Sequence, residues 1–249
     1  MSAECLLLKT PSVAMKMILE TADFKSIMTL RKVCWELRSY IDDVIKPDLN
    51  LQSIEIEHRP GTIICRLHCK TFSSSVEFIE KDGRCIRKNL INKKEQSLDD
   101  VDFMVAFRNE IEAIWKSQKA MIQLLSVSTW FSQEASQQFC ECLENALSKR
   151  GDGPLKVEHF RMEAIGQHQI AAILRNVNAA TLRHLTLRIR RGNEELGYGG
   201  AEIDELAHLE QWKSAETLTA WGCSISAPNE YFDHFLKADV KLRKGNIFY

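Results

Sequence analysis

The side chains in this sequence that could do chemistry are scattered, and their spacing limits what they can do. Cys140-Glu141-Cys142 sets two sulfurs at i and i+2, on nearly opposite sides of a helix, whereas Cys65 and Cys69 share a strand face without further ligands beside them. A metal site needs several Cys or His converging at ligand spacing, so these cysteines read as small core residues. The seven histidines stand singly, and none is paired in a local motif with a Ser or Cys nucleophile. Gly197-Tyr198-Gly199-Gly200 matches neither a P-loop nor a dinucleotide fingerprint and reads as a flexible loop before a helix near Glu202. Arg188-Ile189-Arg190-Arg191 could touch a phosphate, yet it lacks interleaved aromatics and Glu194 and Glu195 follow it. That pattern favours a solvated strand end over a nucleic-acid contact. The expectation is a chain with no catalytic centre, no metal and no cofactor.

Composition agrees with a binding protein. At 249 residues and 45% hydrophobic content the chain can bury a real core as one large domain or two small ones. With 33 Lys+Arg against 34 Asp+Glu, no overall field steers it towards nucleic acid or anionic lipid. The apolar run at the N-terminus, Cys5 to Leu8, is too short for a signal-peptide core or a membrane span. Eight cysteines lie singly along the chain, as thiols would in a reducing compartment. The expected location is therefore intracellular, cytoplasmic or nuclear, with no membrane association.

The elements that must position any binding surface can be read in order. Residues from Pro11 to about Asp43 have helical spacing, with Ile18 and Leu19 inward. In DFKSIMTLRKVCWELRSYIDD, placed on one helix, Ile27, Leu30, Cys34, Leu37 and Ile41 form a stripe, and Phe24, Met28 and Trp35 fall on a second apolar face. The second face needs a partner, another domain, or a break that re-aims the helix. Trp35 reads equally well as a core tryptophan or as an interface anchor, where Trp is enriched. Short β-rich segments follow at 53–58, 62–70, 75–80 and 85–88, with Arg59-Pro60-Gly61 and Lys81-Asp82-Gly83 as turns, which predicts an antiparallel meander. Ser97-Leu98-Asp99-Asp100 reads as a capping box before a long helix ending near Gln118.

From there an apolar-x-x-apolar-x-apolar triplet recurs: Ile122, Leu125, Val127; Val157, Phe160, Met162; Leu182, Leu185, Leu187; Ala215, Leu218, Ala220; and Phe235, Ala238, Val240. Helical segments lie between most of them, as an irregular leucine-rich-repeat array requires. The expected fold is α+β: an N-terminal three-helix unit, a short antiparallel β meander, then an irregular leucine-rich-repeat-like α/β array.

Pro11, Ile18-Leu19, Asp23-Phe24-Lys25-Ser26-Ile27, Leu30-Arg31-Lys32-Val33-Cys34 and Leu37-Arg38 resemble an F-box, in the form found in the large nematode F-box family, over residues 6–45. The second half, on GPLKVEHFRM, IAAILRNVNAATLRHLTL and EIDELAHLEQWKSAETL with Trp212, resembles the FTH domain that accompanies this F-box, over residues 98–249. Residues 46–97 would be a β-rich connection. The resemblance implies that the F-box docks on the Skp adaptor and through it a cullin scaffold, while the FTH domain recruits a target protein for ubiquitination. On that carry-over the adaptor-binding residues are Pro11, Ile27, Leu30, Arg31, Val33, Cys34 and Trp35. Thr10 and Ala22 stand where the family commonly has leucine. The loss of apolar area implies weaker adaptor binding, and motivates an alternative, a non-degradative interaction module with a weak or vestigial F-box. The chain ends at Tyr249 soon after its last strand-like segment, which is expected of an array cut short before a further capping unit.

Overall fold

The computed structural model describes residues 10–22, 24–31, 33–45, 48–99, 101–129, 132–190, 201–224 and 229–242. Arg191 and the Gly197–Gly200 loop lie outside the described residues.

The N-terminal unit is helical, and the stretch over 23–43 read above on one helix is interrupted, the break being one of the ways anticipated to re-aim its second apolar face. Helix α1, Ser12–Thr21, starts after Pro11, whose carbonyl accepts from the Met15 amide at 3.0 Å. Helix α2, Phe24–Leu30, stops at a turn, and Cys34 is extended at φ −155°, ψ 167° before helix α3, Trp35–Tyr40, runs into a π-helical turn at Ile41–Ile45. The break has a geometric reason. A continuous helix of that length would extend about 30 Å, twice the roughly 15 Å that α1 can cover. Folding at 31–34 lets both halves of the apolar stripe close on α1. Ile27, Leu37 and Ile41 are buried with Met15 and Leu19, while Leu30 and Cys34 pack partly buried against them. Ile18, expected inward, instead points out at 48% exposure, since its neighbour Leu19 takes the inward position.

The rest of the described chain builds one mixed sheet of eleven strands. Strands β1 (Ser53–Arg59), β2 (Thr62–His68), β3 (Ser73–Lys81), β4 (Arg84–Asn89) and β5 (Glu95–Leu98) pair antiparallel in sequence order. The tight turn between β3 and β4 places Asp82 at φ 52° and Gly83 at φ 73°, the left-handed pair that suits a two-residue hairpin. Helix α4, Phe103–Ser117, is capped by Asp102, whose carboxylate accepts from the Met104 and Val105 amides. Ser97, expected as the cap, lies inside β5, and its hydroxyl donates to Asp99.

Strand β6 (Ile122–Thr129) then pairs in parallel with β1, so the β-rich segment and the second half share one sheet. Helix α5 (Gln133–Ser148), β7 (Val157–Ala164), helix α6 (Gln167–Leu174) and β8 (His184–Ile189) follow. After them come the short β9 (Ala201–Glu202), helices α7 (Asp204–Ala207) and α8 (Glu210–Ser214), β10 (Thr217–Ser224) and β11 (Lys237–Leu242). Strands β6, β7, β8, β10 and β11 are parallel neighbours in that order. Their registers line up the recurring triplets: Leu125, Phe160, Leu185, Leu218 and Ala238 form one row, and Val127, Met162, Leu187, Ala220 and Val240 the next. β1 extends the rows with Ile54 and Ile56.

Through β10 these rows are buried with helical residues such as Phe107, Ile111, Phe139, Leu143 and Ile170 in a single core. In β11 the pattern weakens, with Ala238 exposed and Val240 half-buried. Gly222 makes a bulge in β10 at φ 75°, where a Cβ would meet the Ile189 carbonyl oxygen at 2.3 Å. Trp212 closes this end of the core: its indole donates to the Tyr231 carbonyl at 3.0 Å, and its ring meets Phe232 and Phe235 edge-on.

Several polar groups inside the core are paired, whereas the buried Trp115 indole N–H has no partner among the described residues. His58 stacks on Phe139 and contacts the Thr129 hydroxyl at 3.1 Å, and that hydroxyl donates to Ser136 at 2.9 Å. The direction of the His58–Thr129 hydrogen bond follows the imidazole tautomer. At the end of α4, Gln118 is fully buried: its Oε1 accepts from the Leu51 amide, and its Nε2 donates to the Ala120 carbonyl. Asp48 accepts from the Asn50, Lys119 and Ala120 amides, which ties the chain leaving the helical unit to the end of α4.

Two predictions follow from this packing. Trp212→Ala removes a fully buried ring and is expected to cost about 3–5 kcal/mol in denaturant unfolding. Burial drives the His58 pKa down to about 4, so the unfolded chain binds this proton first. The stabilisation is complete above about pH 6.5 and is lost as pH falls from there towards 4, by at most about 3 kcal/mol. Thermal melts across that window should show the loss, and His58→Gln should reduce its slope.

Candidate functional site

Among the described residues no group of three or more His, Cys, Asp or Glu is placed to hold a metal ion. Burial raises the thiol pKa of Cys65 and Cys140 to about 12 and of Cys142 to about 11, far from the thiolate a nucleophile needs. A cavity of about 520 Å³ opens between the β1–β2 turn and the first turns of α4 and α5, lined in part by His58, Asp102, Arg108 and Cys142. Burial lowers the His58 pKa to about 4 and raises that of Cys142 to about 11, so neither group titrates near neutral pH. No described helix is long and apolar enough to cross a membrane.

Two surfaces remain, and the first is on the helical unit. The five-residue core of that unit is separate from the core of the sheet, so each is closed by its own residues. Trp35 opens α3 at 75% exposure, and Val33 in the preceding turn is 58% exposed. Val13 and Met17, one turn apart on α1, are also exposed, as is Val44. Of the residues singled out in the sequence, Pro11, Val33 and Trp35 are exposed, and Leu30, Arg31 and Cys34 are half-buried. Ile27 is different: at 1% exposure it is part of the inner core. Among the described residues of this unit, Val13, Met17, Ile18, Val33, Trp35 and Val44 are the exposed large apolar side chains, the residue type that interaction surfaces use. A tryptophan carries roughly 200 Å² of accessible surface, and at about 25 cal/mol per Å² its removal from water contributes several kcal/mol. Val13 and Met17 could have been found from the sequence, since both alternate with the buried Met15 and Leu19 on one short helix.

The second surface is the sheet face turned away from the helices. Alternation along the parallel strands places Glu55 and Glu57, Ser126 and Ser128, Arg161 and Glu163, Thr186 and Arg188, and Thr219 and Trp221 there, all at least partly exposed. Hydrogen bonds run across it: His159 Nε2 meets the Thr186 hydroxyl, and His184 Nδ1 the Thr217 hydroxyl, each at 2.8 Å. The His159 pKa is lowered, first by burial and then by His184 and Arg161 beside it. Arg188 and Arg190, read in the sequence as a solvated strand end, are here drawn to Glu163 on the neighbouring strand.

The described residues thus include an exposed tryptophan on the helical unit and a sheet with one open face. In comparison with known families, residues 11–48 match the F-box domain and residues 137–247 the FTH domain. The chain thus carries an F-box domain at its N-terminal end and an FTH domain in its second half. Both are interaction domains, and an F-box implies a ubiquitin-ligase adaptor role through Skp binding. No curated protein and no solved structure matches the chain.

The two faces of the F-box make opposite predictions for stability. Ile27→Ala should destabilise by about 2–4 kcal/mol in chemical denaturation followed by circular dichroism. Trp35→Ala should stay within about 0.5 kcal/mol of the parent chain.

Proposed function

We propose that this protein is a substrate-recruiting subunit of an SCF-type ubiquitin ligase with no catalytic centre of its own. The observation that supports it most directly is Trp35, three-quarters exposed on a unit whose own core is already closed. Pro11, Val33 and Trp35 would contact the Skp adaptor, with Leu30, Arg31 and Cys34 at the edge of that contact and Ile27 supporting it from beneath. The adaptor would hang the chain on a cullin scaffold inside the cell. The F-box would be of the nematode form. The FTH domain would hold a target protein, and the open face of the sheet, where stacked strands form a repeat-like array, is the surface suited to it.

A second reading is favoured by two positions. Thr10 is half-buried at the start of α1, and Ala22 packs against the F-box core; a leucine at either would add apolar area. A non-degradative interaction module with a weak F-box follows from that shortfall. Trp35→Ala combined with Val33→Ala tests the first reading: capture of the purified Skp adaptor should fall by at least about tenfold with the Tm unchanged. Undiminished capture would remove the proposed contact face. Normal capture by the parent chain, with cullin-dependent turnover of a bound protein, would remove the second reading.

A further inference from the structure

Charge on the open face of the sheet is gathered at one point. The Glu163 carboxylate on β7 has Arg190 Nε at 3.1 Å and Nη2 at 2.9 Å, both on Oε2. Arg161 Nη2 and Arg188 Nη1 each stand 3.7 Å from Oε1. These last two are too long for hydrogen bonds, so each guanidinium lies within ion-pair reach of Glu163 without spending a donor on it. Glu163 has only 13% of its side chain exposed, while Arg161 and Arg188 have 50% and 51%. Three guanidiniums around one carboxylate leave a local positive excess on a chain whose formal net charge is −1. Beside them Ser126 and Ser128 on β6, small and hydroxylated, help line a concavity of about 160 Å³. Arg66 and Arg161 line it as well, together with Glu55, Glu57 and Glu163.

We propose that Arg161 and Arg188, held by Glu163, are the docking point for a carboxylate-rich segment of a partner protein. The inference rests on the reading of this face as the target-recruiting surface and names its chemistry. Exposed guanidiniums on neighbouring strands recognise carboxylates through charge-assisted, bidentate hydrogen bonds. The Ser126 and Ser128 hydroxyls add donors on the floor beside it. An extended peptide carries alternate side chains about 7 Å apart, so it can set carboxylates on the arginines and keep them clear of Glu55, Glu57 and Glu163. A continuous polyanion such as RNA cannot avoid those glutamates, and it has few aromatic platforms here on which to stack bases.

The test uses the full chain and a fluorescein-labelled oligoglutamate peptide, read by fluorescence anisotropy at low and moderate salt. The peptide should bind, weaken as salt rises, and lose about tenfold or more in affinity with Arg161→Glu plus Arg188→Glu. Arg161→Gln plus Arg188→Gln, which leaves Glu163 with Arg190, should show the same direction and guards against misfolding of the reversal variant. Arg183→Glu, at the opposite end of β8 and paired to Glu216, should leave binding unchanged. Failure of oligoglutamate to bind, equal binding by the Gln variant, or tighter binding of oligolysine or single-stranded RNA would each overturn the proposal. Trp35→Ala separates this from the ligase reading: adaptor capture should be lost while oligoglutamate binding persists.

Discussion

The constraint on which the rest of the structure depends is the register of the parallel strands. Leu125, Phe160, Leu185 and Leu218 sit side by side, with Val127, Met162, Leu187 and Ala220 in the adjacent row. A slip of one residue in any strand would turn its apolar set to water. Burial of these rows against the helices therefore fixes the opposite face as well. Which side chains point into solvent is a consequence of which ones cannot, and the polar and charged rows of the open face inherit their alignment from the core.

The F-box obeys a different economy. Its core is five fully buried residues, close to the least that can hold a short helical unit together. Ile27, Leu37 and Ile41 are committed inward, while Trp35 stays three-quarters exposed at the start of α3. The chain leaving the unit is tied to the sheet through the Asp48 carboxylate and the amides that follow α4, and Leu49 and Leu51 just after it are buried in the sheet's core. An unfilled interface and a finished core coexist because they use different faces of the same short helices.

Much of this organisation is legible in residue patterns. The recurring triplets mark the inward rows of β6, β7, β8 and β10 because the strand period of two forces alternate side chains to one side. The turns at Gly61 and Asp82-Gly83 are marked by residues that tolerate positive φ. Less legible were β5, whose Glu95–Leu98 segment is polar and exposed because it edges the sheet, and the cap of α4. Ser97 and Asp102 are both capping types, and only pairing of Ser97 into β5 leaves Asp102 for the helix.

The order of F-box residues, the mixed α+β character and the apolar spacing of the second half are properties of the sequence itself, because each arises from local periodicity. The direction of Trp35 and Ile18, the His58–Thr129–Ser136 chain in the core, and the meeting of Arg161, Arg188 and Arg190 at Glu163 were decided by tertiary structure. Glu163 and Arg190 are 27 residues apart and touch only because two strands align in one register. Local spacing carries no record of which strand will lie beside which, since that choice is made by the shared core.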